Sequence, residues 1–262
     1  LVCVMSMYKC TPPPSRLVPL KKASGGVRPI AVGEVIHRVA SRIAARHCRD
    51  TLHECLQPQQ CGVATSSGAE AVIHLVKAHL ERKPNDVLLS VDFSNAFNTV
   101  LRKAVLKAVR EKIPSLFRFV RETYAAKGDL VLPEQFGDDG LESTSGVRQG
   151  DPLGPALFAV ALDDILKPVT AACPDVHVAA YLDDVQLVGN RDAVVAAYTH
   201  LKWGARAIGL EVNPSKCVAW SPQPACPRNW PKQIQFAEQG VCMLGAPVGS
   251  PTSGSPWATC HA

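Results

Sequence analysis

Three acidic side chains define the chemistry open to this chain. Asp92 stands at the end of a Val- and Leu-rich run, Asp86–Phe93, and Asp183-Asp184 fall between two short β-prone runs, Val176–Leu182 and Val185–Val188. The first run reads as a strand and the second pair as a tight hairpin. If strand and hairpin are neighbours in one small sheet, carboxylates far apart in sequence meet at one edge. Clustered carboxylates repel one another unless a cation sits between them, and two Mg²⁺ ions about 4 Å apart are the usual solution for in-line phosphoryl transfer. An aromatic-x-Asp-Asp alone is weak evidence, because Asp favours hairpin turns on its own account. Two further acidic pairs illustrate this: Asp138-Asp139 precedes a Gly and reads as loop, and Asp163-Asp164 lies mid-helix and reads as solvated.

The elements that must position these acids follow from periodicity. Leu17–Lys22 and Val27–Val32 flank Ala-Ser-Gly-Gly and predict a β-hairpin. Val35, Ile36, Val39, Ala40 and Ile43 form one helical stripe. Ser67-Gly-Ala-Glu70 is a capping-box pattern that opens a helix through about Glu81, with Val72, Ile73, Val76 and Leu80 as its apolar face. Helical periodicity covers Leu101–Lys112 and Ser115–Ala126. Gly146–Gly150 reads as a turn, with Pro152 in the first turn of a long helix ending before Pro168. Asp192–Ile208 is amphipathic through Val195, Tyr198, Leu201 and Ala205, and Lys216–Trp220 returns as strand. From Asp86 onward the order is strand, helices, hairpin, helix, strand. That is the split β-α-β arrangement, an antiparallel sheet with helices on one face, within an α+β fold.

Composition bounds the reading. The chain has 262 residues, 47% hydrophobic and 19% charged, which argues against disorder along most of its length. The longest apolar runs are short, such as Val87–Val91 broken by Ser90, so no membrane span is expected, and no secretory signal is visible. A chain that begins at Leu1 reads as a piece of something longer. Net charge is +5, which permits a polyanionic partner without demonstrating one. Ten cysteines form no C-x-x-C pair. His47, Cys48, His53, Cys55 and Cys61 cluster at spacings that fit no structural zinc pattern, and buried thiols of a reduced intracellular protein are the expectation there. Pro-rich stretches at Thr11–Pro19, Ser221–Pro231 and Pro247–Pro256 read as loops or connectors.

The run Val91-Asp92-Phe93-Ser94-Asn95-Ala96-Phe97-Asn98, then Gly146-Val147-Arg148-Gln149-Gly150-Asp151-Pro152-Leu153, then Tyr181-Leu182-Asp183-Asp184 resemble, in order and spacing, the A, B and C motifs of reverse transcriptases. The set most resembles those of non-LTR retrotransposons and group II intron-type elements. The resemblance covers roughly Leu17 to Gly249. It implies the fingers and palm of a right-hand polymerase: a fingers-like segment over 1–90, a palm with some fingers elements over 91–249, and a tail over 250–262. Too few residues follow Gly245 for a helical thumb, so the thumb is expected to be essentially absent, with weak template binding as the consequence.

The same resemblance implies roles for single residues. Asp92 and Asp183 would be metal ligands together with the Phe93 carbonyl, for two Mg²⁺ ions or Mn²⁺ as a substitute; Asp184 resembles the second motif-C aspartate and would be a further ligand. Either Lys21 or Lys22, with Arg28, would grip the incoming triphosphate, and alternation along a strand lets only one lysine face inward. Phe97 stands at the place of a steric gate against the 2′-hydroxyl. Gln149 and Gly150 resemble the nucleotide-contacting turn, and Arg148 is either a template contact or an ordinary surface arginine. Gly209–Lys216 resembles motif D, with Lys216 as a candidate general acid or a solvated lysine. Met243-Leu244-Gly245 resembles the primer grip. Two positions depart from the non-LTR pattern, Leu182 where Ala is more common and Gly154 where Ser is; neither removes a ligand.

The implied activity is RNA-templated DNA synthesis from a DNA or RNA primer and dNTPs, with no membrane partner and, by resemblance only, in the nucleus. The alternative is a catalytically inactive retroelement relic that only binds nucleic acid. An RNA-templated RNA polymerase would share the palm, and Phe97 argues against it. A scaffold with fortuitous motifs would need three ordered coincidences.

Overall fold

The computed structural model describes residues 14–21, 25, 27–131, 141–223 and 230–249. The chain opens with β1 (Ser15–Lys21) and β2 (Val27–Gly33), then α1 (Val35–His47), α2 (Arg49–Leu56), α3 (Gly68–Arg82) and β3 (Val87–Val91). Next come α4 (Ala96–Thr99), α5 (Arg102–Lys112), α6 (Pro114–Tyr124), β4 (Gly128–Val131), β5 (Leu141–Ser143) and α7 (Gly154–Ala172). The order closes with β6 (Val176–Tyr181), β7 (Asp184–Gly189), α8 (Arg191–Ala207), β8 (Val218–Trp220), β9 (Gln235–Phe236), β10 (Gly240–Met243) and β11 (Ala246–Gly249). These elements fall into two compact units, one drawn from Leu1–Cys55 and Asn95–Ala161, the other from Leu56–Ser94 and Leu162–Ala262. The fold is α+β, as the element order implies. Among the described residues no helix is long and apolar enough to cross a membrane.

The first unit carries a sheet in the order β2-β1-β4-β5. The expected hairpin is there, antiparallel from Ser15 opposite Gly33 to Lys21 opposite Val27. Helix α1 follows as expected but buries a different face. Its buried residues are His37, Ala40, Ser41 and Ala44, whereas Val35 is 71% and Ile43 55% exposed, with Ile36 and Val39 also outside. Of the apolar stripe only Ala40 turns inward. The inner face holds small and hydrogen-bonding residues because His37 stacks on Phe119 at 5.6 Å and meets Asp151. Cys48 is buried near Ser115, while Cys55 and Cys61 are only half-buried, less than expected of them.

The second unit is built on a five-stranded sheet, β6-β7-β3-β8-β9, antiparallel except between β8 and β9. Strands β3, β6, β7 and β8 fall on the runs expected from sequence, β9 has no counterpart among them, and β3 lies between β7 and β8. On one face Leu88, Ala179, Val188 and Trp220 pack with Val72, Ile73, Val76 and Leu80 of α3 and with the β10–β11 hairpin. The alternate residues Leu89, Val91, Val185 and Leu187 are also buried, and α8 packs on β3, β6 and β7. Both faces are therefore covered, a wider cover than the single helical face expected. Each fully buried Val or Leu contributes about 1.5–3 kcal/mol to holding this sheet.

Four local expectations need correction. The capping box at Ser67 is not made: Ser67 has a left-handed backbone at φ +51°, not the extended one typical of an N-cap, and makes no side-chain cap bond. Helix α7 does not stop before Pro168 but runs through it to Ala172. Burial of Leu166 and Val169 on either side offsets the lost backbone bond and ring clash, about 3 kcal/mol. Asp163 is not solvated; it is fully buried and paired with Lys167 at 3.0 Å. Finally, α8 buries Val194 in place of Val195. Asp138-Asp139, Lys22 and the tail over 250–262 lie outside the described residues.

The reversed face of α1 yields a direct check. Val39→Ser should change stability by no more than about 0.5 kcal/mol in urea denaturation, as exposed positions do. Ala44→Leu should cost about 1–3 kcal/mol by overpacking. The opposite ranking would restore the stripe read from the sequence.

Candidate active site

The register of two strands brings the acids together. Val91, the last residue of β3, pairs with Val185 on β7, so Asp92 and Asp184 each stand one residue beyond that pair on neighbouring strands. Tyr181 pairs with Asp184, which leaves Leu182-Asp183 as the two-residue tip. Asp184 is thus the first residue of β7 rather than part of the turn. Asp92 and Asp183 are half-buried and Asp184 keeps an exposed edge. Partial desolvation, then the negative charges of Asp183 and Asp92, push the Asp184 carboxyl up to about 6. The three acids therefore sense one another, as the strand-and-hairpin geometry demands.

Phe93 is buried and bridges Val212, through a bond from the Asn213 N–H to the Asp92 carbonyl and one from the Ser94 N–H to the Glu211 carbonyl. This bridge does not draw on the Phe93 carbonyl. Carboxylates beside a backbone carbonyl are hard oxygen donors, a set that suits Mg²⁺ or Mn²⁺. Among the described residues no three His, Cys, Asp or Glu side chains converge on a metal-holding arrangement.

Lys216 belongs not to strand β8 but to the exposed turn before it, and it borders a cavity of about 630 Å³ with Ser90, Val218, Phe236 and Cys242. Met243 is buried at the end of β10, and Leu244-Gly245 form the hairpin turn with φ +50° and +75°. The two strands pair antiparallel as a small hairpin, so Pro247, Val248 and Gly249, read from sequence as the start of a Pro-rich connector, belong to β11.

The first unit holds the remaining candidates. Gln149 and Gly150 lie on the loop between β5 and α7. Gly150 is required by space: a Cβ there would collide with the Ala31 carbonyl of β2. Gln149 borders a cavity of about 220 Å³ with Leu17, Pro29 and Ala31 of the hairpin. Arg148 is buried, its guanidinium 5.9 Å from the Tyr124 ring, so it is not an ordinary surface arginine. Phe97 is half-buried in α4 and stacks on Phe158 at 4.6 Å. In the hairpin, Arg28 pairs with Leu20 and Val27 with Lys21, so pleating sends the exposed Lys21 and Arg28 side chains to opposite faces. Lys21 and Arg28 cannot form the two-armed grip together.

Several anchoring residues left no signal in the sequence reading. The Tyr124 hydroxyl donates to Asp151 Oδ2 at 2.7 Å, the Leu153 N–H donates to Oδ1 at 3.0 Å, and His37 Nε2 lies 3.7 Å from Oδ2. Burial pushes the Asp151 carboxyl up, but His37, Tyr124 and the Leu153 amide outweigh it and hold it below the usual range. Burial beside that carboxylate raises Tyr124 well above its ordinary value. Arg102 donates to the Gly146 and Ala126 carbonyls, at 3.1 Å each, and to Ser143 Oγ at 2.6 Å. Together they fix both ends of the Gln149 loop. The Gln60 side chain bonds the Leu182 backbone. An isolated Tyr, Arg or Gln gives no pattern; only the Gly beside Gln149 and Asp151 hinted at a crowded loop.

A carboxyl raised from its ordinary 3.8 to about 6 costs stability when ionised. Stability tied to Asp184 is therefore full below about pH 4 and lost as pH rises through about 6. In EDTA, Asp184→Asn should melt above the unaltered chain at pH 7.5, and the gap should close towards pH 4. A gap independent of pH in thermal melts would contradict the coupling among the three acids.

Comparison with known proteins agrees over most of the chain. The sequence pattern described as reverse transcriptase (RNA-dependent DNA polymerase) matches residues 20–253. The chain is 28% identical over 207 residues to the retrotransposable element SLACS 132 kDa protein of Trypanosoma brucei gambiense, covering 76% of this chain and 17% of that protein. It is 24% identical over 221 residues to the retrovirus-related Pol polyprotein from type-1 retrotransposable element R2 of Nasonia vitripennis, covering 78% and 21%. The chain thus spans about a fifth of the length of these relatives. Among solved structures, telomerase from Candida albicans with a TWJ fragment of telomeric RNA superposes with TM-score 0.64 at 14% identity, over 94% of this chain and 45% of that one. Apo telomerase from Candida tropicalis gives 0.67 at 10% identity, over 91% and 47%. Those likenesses are of fold, the fingers and palm expected from the sequence. On the match over residues 20–253, the chain belongs to the reverse transcriptase (RNA-dependent DNA polymerase) family.

Proposed function

We propose that this chain is the polymerase core of a non-LTR-type retroelement, joining dNTPs to a primer 3′-hydroxyl under the direction of an RNA template. The observation that carries the reading is the β3–β7 register, which sets Asp92 beside Asp184 and couples both to Asp183. Asp92, Asp183, the Phe93 carbonyl and, secondarily, Asp184 would hold two divalent cations. Bound there, the cations would lower the pKa of the attacking hydroxyl and stabilise charge on the departing pyrophosphate. The protein's own part is to aim and fix these oxygens, which the sheet does through backbone pairing on both sides of Asp92.

Other residues serve binding and proton transfer. Lys216, exposed on a turn, can approach a leaving pyrophosphate and give up a proton. The Leu244-Gly245 turn, anchored by buried Met243, orients the primer end. Gln149 contacts the nucleotide from a loop that the Tyr124, Asp151 and Arg102 bonds keep rigid. The Phe97 ring offers a ribose 2′-hydroxyl no hydrogen-bond partner, which favours dNTPs. Arg28 holds triphosphate from its face of the hairpin, and Lys21, on the other face, does not.

The test offers an RNA template and DNA primer with Mg²⁺ or Mn²⁺ and either dNTPs or rNTPs. Extension with dNTPs is expected, and Asp183→Asn should reduce it by more than about a hundredfold, since even outer partners of metal ligands are worth 10–100-fold. Phe97→Ala should raise rNTP use. Equal use of both nucleotides by the unaltered chain would favour RNA synthesis. No extension from a folded chain would favour a relic that only binds nucleic acid.

The hairpin geometry separates two basic residues. Arg28→Ala should raise the KM for dNTP about tenfold, as loss of a charge-assisted bond does. Lys21→Ala should stay within about twofold, a solvent-facing charge being worth little. Equal effects in steady-state kinetics would contradict the assignment by face.

A further inference from the structure

The turn bearing Asp183 is held from outside its own hairpin. Gln60 is fully buried, and its carboxamide meets both backbone groups of one residue at the tip. Its oxygen accepts the Leu182 N–H at 2.8 Å, and its nitrogen donates to the Leu182 carbonyl at 3.0 Å. The same oxygen accepts the Gly62 N–H at 3.0 Å. The flanking backbone is fixed as well: the Ala180 N–H donates to the Gln59 carbonyl at 2.6 Å and the Cys61 N–H to the Ala180 carbonyl at 2.7 Å. Gln60 thus bridges the edge of β6 in parallel, within the same compact unit. A Cβ at Gly62 would press on the Leu182 nitrogen, so only glycine lets the two segments approach.

Leu182 needs such a hold. Its φ is +56°, and it is the first residue of a two-residue hairpin turn, a place where positive φ favours glycine. Leucine adopts that conformation only at a cost. A side chain bonded to both the N–H and the C=O of Leu182 opposes rotation of either peptide plane. We infer that Gln60 is a positioning residue, fixing the Leu182-Asp183 turn and with it the direction of the Asp183 and Asp184 carboxylates; this rests on the reading that those carboxylates bind divalent cations. Gln60 touches no substrate and acts through the backbone alone.

The experiment is a double-mutant cycle read by Mn²⁺ binding in electron paramagnetic resonance. Gln60→Met keeps length and volume but removes both bonds. It should weaken Mn²⁺ binding about 10–100-fold, the range for groups that orient metal ligands, and lower kcat more than it alters the KM for dNTP. In a Leu182→Gly background the same substitution should cost less than about threefold, because glycine keeps a positive φ unaided. Unchanged Mn²⁺ binding, or equal losses in both backgrounds, would overturn the inference. Should Gln60→Met fail to fold, amide exchange in the unaltered chain decides: the Leu182 N–H should be protected although it sits at a turn tip, and exchange at an open-turn rate would overturn the clamp. If the unaltered chain binds no Mn²⁺, the cation reading fails instead, and the exchange measurement alone judges the clamp.

Discussion

Like charges held close together are the constraint around which the second unit is arranged. Asp92, Asp183 and Asp184 are close enough that two of them help push the third to about 6. Nothing in a hairpin or a strand end favours that arrangement by itself. It persists because the strands beneath are paired residue by residue and buried on both faces: Leu88 opposite Val188, Leu89 opposite Leu187, Val91 opposite Val185. A slip of one residue would turn every one of these side chains to the other face. The apolar register that stabilises the sheet is therefore the same register that sets the acids together.

The first unit meets a different demand, that of keeping a loop rigid while it stays open. Loops carry binding groups but move more than the elements they join. Here the loop with Gln149 is tied at both ends by polar side chains of the same unit. Arg102 holds the Gly146 and Ser143 end, and Tyr124 with His37 holds the Asp151 end. A buried carboxylate without such bonds would cost several kcal/mol. The depressed Asp151 carboxyl shows that its bonds more than offset its burial. Crowding does the rest, since Gly150 leaves no room for a side chain against Ala31.

What could be read from sequence divides along a physical line. Elements whose identity rests on short-range periodicity were legible: the strands around Asp92 and Asp183, and α3 with its buried Val72, Val76 and Leu80. Periodicity reports that a helix has a face, not which neighbour covers it. Hence α1 could show a convincing stripe at Val35, Val39 and Ile43 and yet bury Ala40 and Ala44. Pro168 misled for a related reason, because a local penalty was outweighed by packing that no window of sequence contains. The acids of the candidate site were legible because metal-type chemistry needs carboxylates in known order. Gln60 was not, since its bonds to Leu182 cross 122 positions and involve the backbone, whose chemistry is the same for every residue type.

Leu182 shows how these levels fit together. A glycine there would accept the positive φ freely and would need no partner to keep it. Leucine with a fixed partner has the opposite character: the backbone conformation is costly alone, and once clamped by Gln60 it has few alternatives. Sites that must present clustered charge to a cation gain from such stiffness, because carboxylates that can separate relieve their repulsion before the cation arrives. The hairpin sequence and the distant glutamine are then two halves of one device, and only the half carrying the acids announces itself in the order of residues.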